Sequence, residues 1–536
     1  MNSSTETADE WVLPAEESSA KVFIQANVLL LLYVPLCGLS LIPFLAISQP
    51  PIVDFANHAA RLTMACHAHD PAIAAMYRYR FDIIPNLAMD FVNLPLCGVV
   101  APARVLQTII TGSLSLIYLS GWIIQRKLFG RANAFLLALP AVAFNLVTTM
   151  GYINFLGGVA VTCLMTAFAI GRERRFGTLF LVCNVGGVIL FFCHIFALAF
   201  AMLIVFGLEL DGARLTWKRI FEAGVRTIVL FALPLALIAF VPSAGGQFTF
   251  GYFRKVRMLP ALFMAQHVSL GLYGLPLLGI LYFLIRNRTV EIDRRLRLSL
   301  ASVGIFVLVI PCSIENAVDL DSRLLVALAY LLFAALRPVR REREITFALV
   351  SLSAALVAFQ LWSAAAIWRP FSDQMDELRE ASEVLPARAK VLTIANSEGP
   401  KLIAAPLAYS HVTSYVTIER RIFNPLDFTG IGMQPLSVTP AYATVDSQTG
   451  QPYSPELANR FISPSSELSR LARENEAGFA LRWPKHFDYV IFYHFGRPRN
   501  FNPALLEEVR SGSFFTIFKV RKLRANALGP TNVRTT

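Results

Sequence analysis

Between residues 25 and 368 the chain is written in long apolar runs, separated by short connections, many of them rich in arginine. A helix needs roughly 17–25 mostly apolar residues to cross about 30 Å of hydrocarbon. About eleven runs approach or meet that length, near 25–48, 102–124, 132–150, 153–171, 177–193, 194–209, 226–242, 259–285, 297–311, 322–337 and 345–368. The stretch 177–209 is too long for one crossing, and Gly186, Gly187 and His194 mark a break or a tight hairpin within it. The polar, acidic start up to Lys21 lacks the basic opening of a secretory signal, so the first run reads as a retained membrane helix.

Composition agrees. Hydrophobic residues make up 55% of the 536 and charged residues 16%, against roughly 25% charged in typical soluble domains. That excludes a disordered chain, a collagen-like fibre and an ordinary cytosolic enzyme. A net charge of +12 would raise nucleic acid as a partner of a soluble protein, but here the positive charge follows topology. Alternate connections hold nineteen Lys and Arg, in the groups 126–131, 172–175, 214–226, 286–297 and 337–343. The opposite connections hold mainly Arg61, Arg78, Arg80, Arg254, Lys255 and Arg257. The first set is therefore assigned to the cytoplasm. The N-terminus then lies inside, and the loops 49–101, 150–153, 243–258 and 311–322 lie outside, as does everything from Arg369 onward. Membrane lipids are expected partners, and nucleic acid is not.

The expected organisation is a polar cytoplasmic tail (1–21), a transmembrane domain (22–368) with a long first outer loop (49–101), and an extracytoplasmic α/β domain (369–536). The last segment is polar, with strand-like runs at Lys390–Ile394, Tyr489–Tyr493 and Phe514–Val520 and helical patterns at Gln374–Val384 and Pro455–Asn475. The stretch 422–454, rich in Pro, Gly, Thr and Ser, reads as a long loop. The fold class is an α-helical polytopic membrane protein carrying a C-terminal extracytoplasmic α/β domain. The seven cysteines show no C-x-x-C spacing and read mostly as buried thiols. Cys66 and Cys97 share the first outer loop, and pairing is open to them in an oxidising compartment.

The first outer loop is the most informative part of the chain, because connections in helical bundles usually run to about two to eight residues. It begins Gln49-Pro50-Pro51-Ile52-Val53-Asp54-Phe55-Ala56-Asn57-His58-Ala59-Ala60-Arg61. If a helix starts near Asp54, then Asn57, His58 and Arg61 share a face with it. A carboxylate at the membrane surface with donors beside it suits a general base or a metal ligand, and Arg61 suits a phosphate. The plainer reading is that Asp54 caps a helix while Asn57 and His58 are solvated. Farther on, Tyr77-Arg78-Tyr79-Arg80 alternates aromatic and basic residues, as an amphipathic element in the headgroup region would. Asp90 is a second acidic candidate.

Other polar groups cluster at outer ends of spans. Asn154 follows Gly151 and Tyr152, where the glycines suit close helix packing. Arg254 and Arg257 form an outer basic cluster that fits a lipid phosphate or anionic headgroups. Asp319-Leu320-Asp321 is followed by Arg323, which suits a substrate phosphate or a structural pair with Asp319. His58, His67 and His69 match no known zinc spacing.

A long multi-span chain, an Asp soon after the first helix and an outer C-terminal α/β segment resemble the GT-C type of integral-membrane glycosyltransferases. Pro50-Pro51-x-x-Asp54-x-x-Asn57-His58 is similar to the opening loop of several bacterial members. The resemblance implies sugar transfer from a polyprenyl-phosphate carrier to an acceptor glycan, lipid or protein outside the cytoplasm, in a bacterial inner membrane. It implies that Asp54 is the catalytic base or a metal ligand. Many members carry paired acidic residues here, whereas Phe55 and Ala56 follow Asp54, so a divalent cation stays open. The expected chemistry is one inverting displacement, with Arg61, Arg254 or Arg323 steadying the leaving phosphate and Asn57, His58, Asp90 and Arg257 completing the substrate site. A transporter or flippase, and a non-catalytic envelope-assembly protein, are the alternatives. The chain shows no inverted repeat of the kind transporters carry.

Overall fold

The computed structural model describes residues 19–171, 175–212, 214–241, 248–251, 262–263, 275–314, 317–396, 406–429, 434–447, 452–474, 478–496 and 500–522. It is mostly helical. Four described helices are long and apolar enough to cross a membrane: Val28–Ala46 (α1), Pro102–Phe129, Phe176–Cys193 and the 43-residue Glu342–Val384. A fifth crossing arises if Trp217–Leu230 and Ala232–Ile238, bent by 74°, count as one. Ile153–Ala169 and Ile195–Glu209 are shorter apolar helices.

Not all of the eleven expected spans are single long apolar helices among the described residues. The predicted span 132–150 is broken into a 3-10 turn (Ala134–Leu137) and two short helices (Ala138–Ala141 and Leu146–Met150). All of it is buried apart from its two half-buried end residues, so its apolar character comes from protein core rather than lipid contact. Of 259–285, only Leu275–Arg286 is described as helix. The stretch 177–209 does break at His194, whose extended backbone (φ −169°, ψ 133°) separates two helices. The last apolar helix does not end at residue 368. A π-helical turn at Ala364–Trp368 carries it onward into the amphipathic Arg369–Ala381.

Beyond that helix lies a four-stranded sheet. Val391–Ala395 pairs in parallel with Tyr489–Tyr493. Phe515–Val520 pairs antiparallel with Tyr489–Tyr493 and with Leu506–Ser511. The two central strands are apolar on both faces, as strands covered on both sides are. Leu506–Ser511 is an edge strand with four exposed residues in its middle, and its charged sequence hid it from the apolar pattern.

The loop 49–101 is built into this segment. Tyr77–Tyr79 is a strand, paired antiparallel with Leu436–Val438, where an amphipathic element of the headgroup region was expected. The alternation of Tyr and Arg was the two-residue period of a strand. Its partner likewise gives order to part of 422–454. Phe55–Cys66 forms α2, which packs against the helix Thr413–Arg420. Two apolar cores meet at α2. Phe55, Ala59 and Leu62 join the core of the helical bundle. Ala60 and Met64 join a second core with Phe423, Trp483, Val490 and Phe518.

Candidate active site

Pro50 and Pro51 lack backbone N–H groups and restrict the residues before them, which disfavours continuation of the helix that ends at Ala46. Val53 N–H donates to Thr149 O (3.1 Å) and Asp54 N–H to Met150 O (3.1 Å). This seats Asp54 beside Gly151, whose φ of +84° is the left-handed region that favours glycine. A Cβ at Gly151 would stand 3.0 Å from Asp54 N and 3.1 Å from Asp54 Cβ. The glycine is thus required here by backbone shape and by close approach to Asp54.

Asp54 occupies the N-cap position of α2, yet its carboxylate accepts no capping hydrogen bond. The side chain is 17% exposed. His411 Nε2 lies 3.6 Å from Asp54 Oδ1, beyond hydrogen-bond length but within charge contact. Burial raises the Asp54 carboxyl from its ordinary 3.8 to about 7, with the positive charge of Arg323 opposing the rise. Burial lowers the His411 imidazole to about 4.

Asn57 and His58 project from the next turn, and neither is simply solvated. Asn57 Oδ1 accepts from Phe428 N–H (2.7 Å). Its Nδ2 donates to Leu426 O (2.8 Å) and lies 3.1 Å from His411 Nδ1. His58 Nε2 is 3.2 Å from Gly151 O. The Phe428 ring packs edge-on against both His58 (5.5 Å) and His411 (5.2 Å). The 413–420 helix and its flanking loops therefore supply one wall of the Asp54 site.

Arg61 was expected to face a phosphate. It is instead 1% exposed and forms a buried ion pair with Asp90. It also donates to Gln434 Oε1 and to Asn86 O (3.2 Å). Tyr79 OH donates to Asp90 Oδ1 (3.0 Å). Burial raises the Asp90 carboxyl, and Arg61 is the largest opposing influence. A fully desolvated guanidinium is tolerated when carboxylate and carbonyl oxygens surround it, and that arrangement joins the first outer loop to the 434–438 strand region. Asn154 serves the same loop, accepting from Met89 N–H (3.0 Å) and donating to Asn86 O (2.7 Å).

Arg323 differs. It is 6% exposed, and its guanidinium lies 3.4 Å over the Tyr152 ring and 3.2 Å from His194 Nε2. Its Nε has no hydrogen-bond partner among the described residues. Tyr152 OH donates to Asp319 Oδ2 (2.9 Å). Arg254 and Arg257 lie outside the described residues. Among the described residues no group of three or more His, Cys, Asp or Glu side chains is placed to hold a metal ion.

Cys66 and Cys97 are joined as a disulfide, which ties the end of α2 to the turn after Asp90. Sequence reasoning missed His411, Phe428 and Gln434. Their one signal was weak, namely that all three lie in the segment from Arg369 onward, which was assigned to the same side as the first loop.

No family model matches the chain, and no curated protein matches it. Among solved structures it is similar to ArnT from Cupriavidus metallidurans in the apo state, with TM-score 0.48 and 10% identity over 94% of this chain and 98% of that one. It is also similar to ArnT from the same organism bound to undecaprenyl phosphate, with TM-score 0.44 and 11% identity over the same shares.

Proposed function

We propose that the chain is an integral-membrane glycosyltransferase that moves a sugar from a polyprenyl-phosphate donor to an acceptor hydroxyl outside the cytoplasm. One observation carries this reading. A half-buried carboxylate, unused by its own helix, stands just beyond the first apolar helix, and desolvation raises its pKa to about 7. A general base works best when its pKa is near the working pH, and a position beside the membrane suits a lipid-borne donor. The Cys66–Cys97 disulfide is consistent with an oxidising outer compartment.

Asp54 is the base. The acceptor oxygen attacks the anomeric carbon and gives its proton to the Asp54 carboxylate. The bond from that carbon to the phosphate oxygen breaks, and the electron pair leaves with polyprenyl phosphate. Attack opposite the leaving group inverts the anomeric centre. Arg323 is the phosphate ligand in this reading, because its Nε is buried and has no hydrogen-bond partner among the described residues. Donors held in place for a developing charge cost no reorganisation when the charge appears. Arg61 and Asp90, paired with each other, hold the loop in shape. Arg254 and Arg257 remain proposed as further phosphate ligands.

The test uses purified full-length protein and an Asp54→Asn variant, assayed for release of polyprenyl phosphate from a panel of polyprenyl-phosphate sugars with cell-envelope glycans as acceptor. Loss of a general base lowers turnover by about 10²- to 10⁴-fold, and that loss is the expected result. Equal turnover in both proteins would remove Asp54 from the chemistry. An inactive parent across the panel would count against the transferase.

A further inference from the structure

We infer that His411 is the positioning residue of the Asp54 base, presenting an N–H to the carboxylate because Asn57 holds its ring in one tautomer. This rests on the proposed transferase reading for its catalytic meaning. The hydrogen-bond argument stands apart from it.

The Asn57 amide has a defined orientation. Its oxygen faces a backbone N–H, from Phe428, and its nitrogen faces a backbone C=O, of Leu426. Turning the amide over would set donor against donor and acceptor against acceptor. The nitrogen has a second hydrogen to give, and His411 Nδ1 lies 3.1 Å away. Nδ1 must therefore accept, and a neutral imidazole then carries its proton on Nε2. That is the nitrogen 3.6 Å from Asp54 Oδ1. Burial keeps the ring neutral near pH 7, so the contact is a donor beside a carboxylate rather than an ion pair of fixed charges. The Phe428 ring packs against His411 and its backbone N–H fixes Asn57, so one short stretch, 426–428, sets both members of the relay.

The consequence for the reaction is specific. With Oδ1 facing His411, the other carboxylate oxygen is left to take the acceptor's proton, and the His411 proton stays on Nε2 throughout. An N–H beside the carboxylate favours its ionised form. Among the described residues, the charged and titratable groups beside Asp54 are Arg323 from the helix Leu320–Ala335, whose charge acts on it, and His411, whose Nε2 lies 3.6 Å from Oδ1. Of these, His411 belongs to the C-terminal segment, so the base is not complete until that segment has packed onto α2.

Two measurements on the full-length protein test this. The first is histidine side-chain nitrogen NMR at pH 7, with His411→Gln assigning the signal. A neutral ring protonated at Nε2, whose Nε2 resonance shifts in Asp54→Asn and which becomes a tautomer mixture in Asn57→Leu, supports the inference. A proton on Nδ1 in the parent, or an Nε2 resonance indifferent to Asp54→Asn, overturns it. The second is the pH profile of kcat/KM. His411→Ala should move the acid limb upward by about one pH unit, and His411→Gln, which retains an N–H donor, should move it less. A lower rate with an unmoved limb would show a merely structural histidine and overturn the positioning role. If no donor turns over, the transferase reading fails while the resonance test still decides the tautomer.

Discussion

Asp54 and Arg61 lie about two turns apart on one helix face, yet the protein treats their charges in opposite ways. Arg61 is buried with a carboxylate against it. Asp54 is half-buried, with Arg323 the charge that acts on it among the described residues and a neutral imidazole nearby. Such a carboxylate costs stability. Its pKa lies above the ordinary 3.8, at about 7, so the folded state holds the proton more tightly than the unfolded state does. Its contribution to stability is full below about pH 4 and lost as pH rises through about 7. Asp54→Asn removes that loss. The variant should therefore be more stable than the parent at pH 8 by roughly 1–3 kcal/mol, with the gap closing towards pH 4. Thermal unfolding of both proteins at the two pH values checks this, and a variant less stable at pH 8 would mean that Asp54 has a stabilising partner. A gain in stability alongside a loss of turnover is the pattern expected of a site whose geometry serves chemistry.

At the scale of elements, the site depends on how three pieces of chain cross. The exit from the first membrane helix borrows its hydrogen bonds from the end of the Leu146–Met150 helix. Gly151 makes that crossing close, and its carbonyl also receives His58. Gly151→Ala puts a side chain at positive φ and a methyl against Asp54. The expected cost is about 1–2 kcal/mol, with turnover lower by about tenfold or more because a displaced base loses its alignment. Parallel assays of unfolding and turnover on this variant test it, and wild-type turnover would show that the crossing can relax without moving the carboxylate. The 43-residue helix Glu342–Val384 has a related role. Its C-terminal part takes hydrogen bonds from the same exit, where Gln49 donates to Asp376 (2.8 Å) and Ser48 lies 3.2 Å from Ser372.

For the molecule as a whole, the arrangement requires the first outer loop and the C-terminal segment to occupy one side of the membrane, since they share a strand pair and an apolar core. Topology reporters test the side. A reporter active only outside the cytoplasm should work when fused after residue 522 and fail when placed at 213 or in the Arg-rich connection 337–343. The reverse pattern would overturn the outward assignment and, with it, a transferase acting outside the cytoplasm. One reporter on each side is enough, because the shared core prevents the two segments from separating.

The membrane character of the chain was legible in one dimension, since hydropathy is summed along a run and needs no partner. So were the strands at 489–493 and 515–520, whose apolar stretches are local. The span count was less legible, because an apolar run buried in protein, such as 132–150, has the same composition as one facing lipid. The roles of Arg61 and His411 were not legible at all. Whether a guanidinium meets a phosphate or a carboxylate depends on what folds against it, and Asp90 and Gln434 lie 29 and 373 residues away. The partners of Asn57 are as remote, 354 to 371 residues along the chain. Hydrophobic pattern is a property of neighbours in sequence. Charge pairing and tautomer depend on neighbours in space, and those exist only once the C-terminal segment has closed over α2.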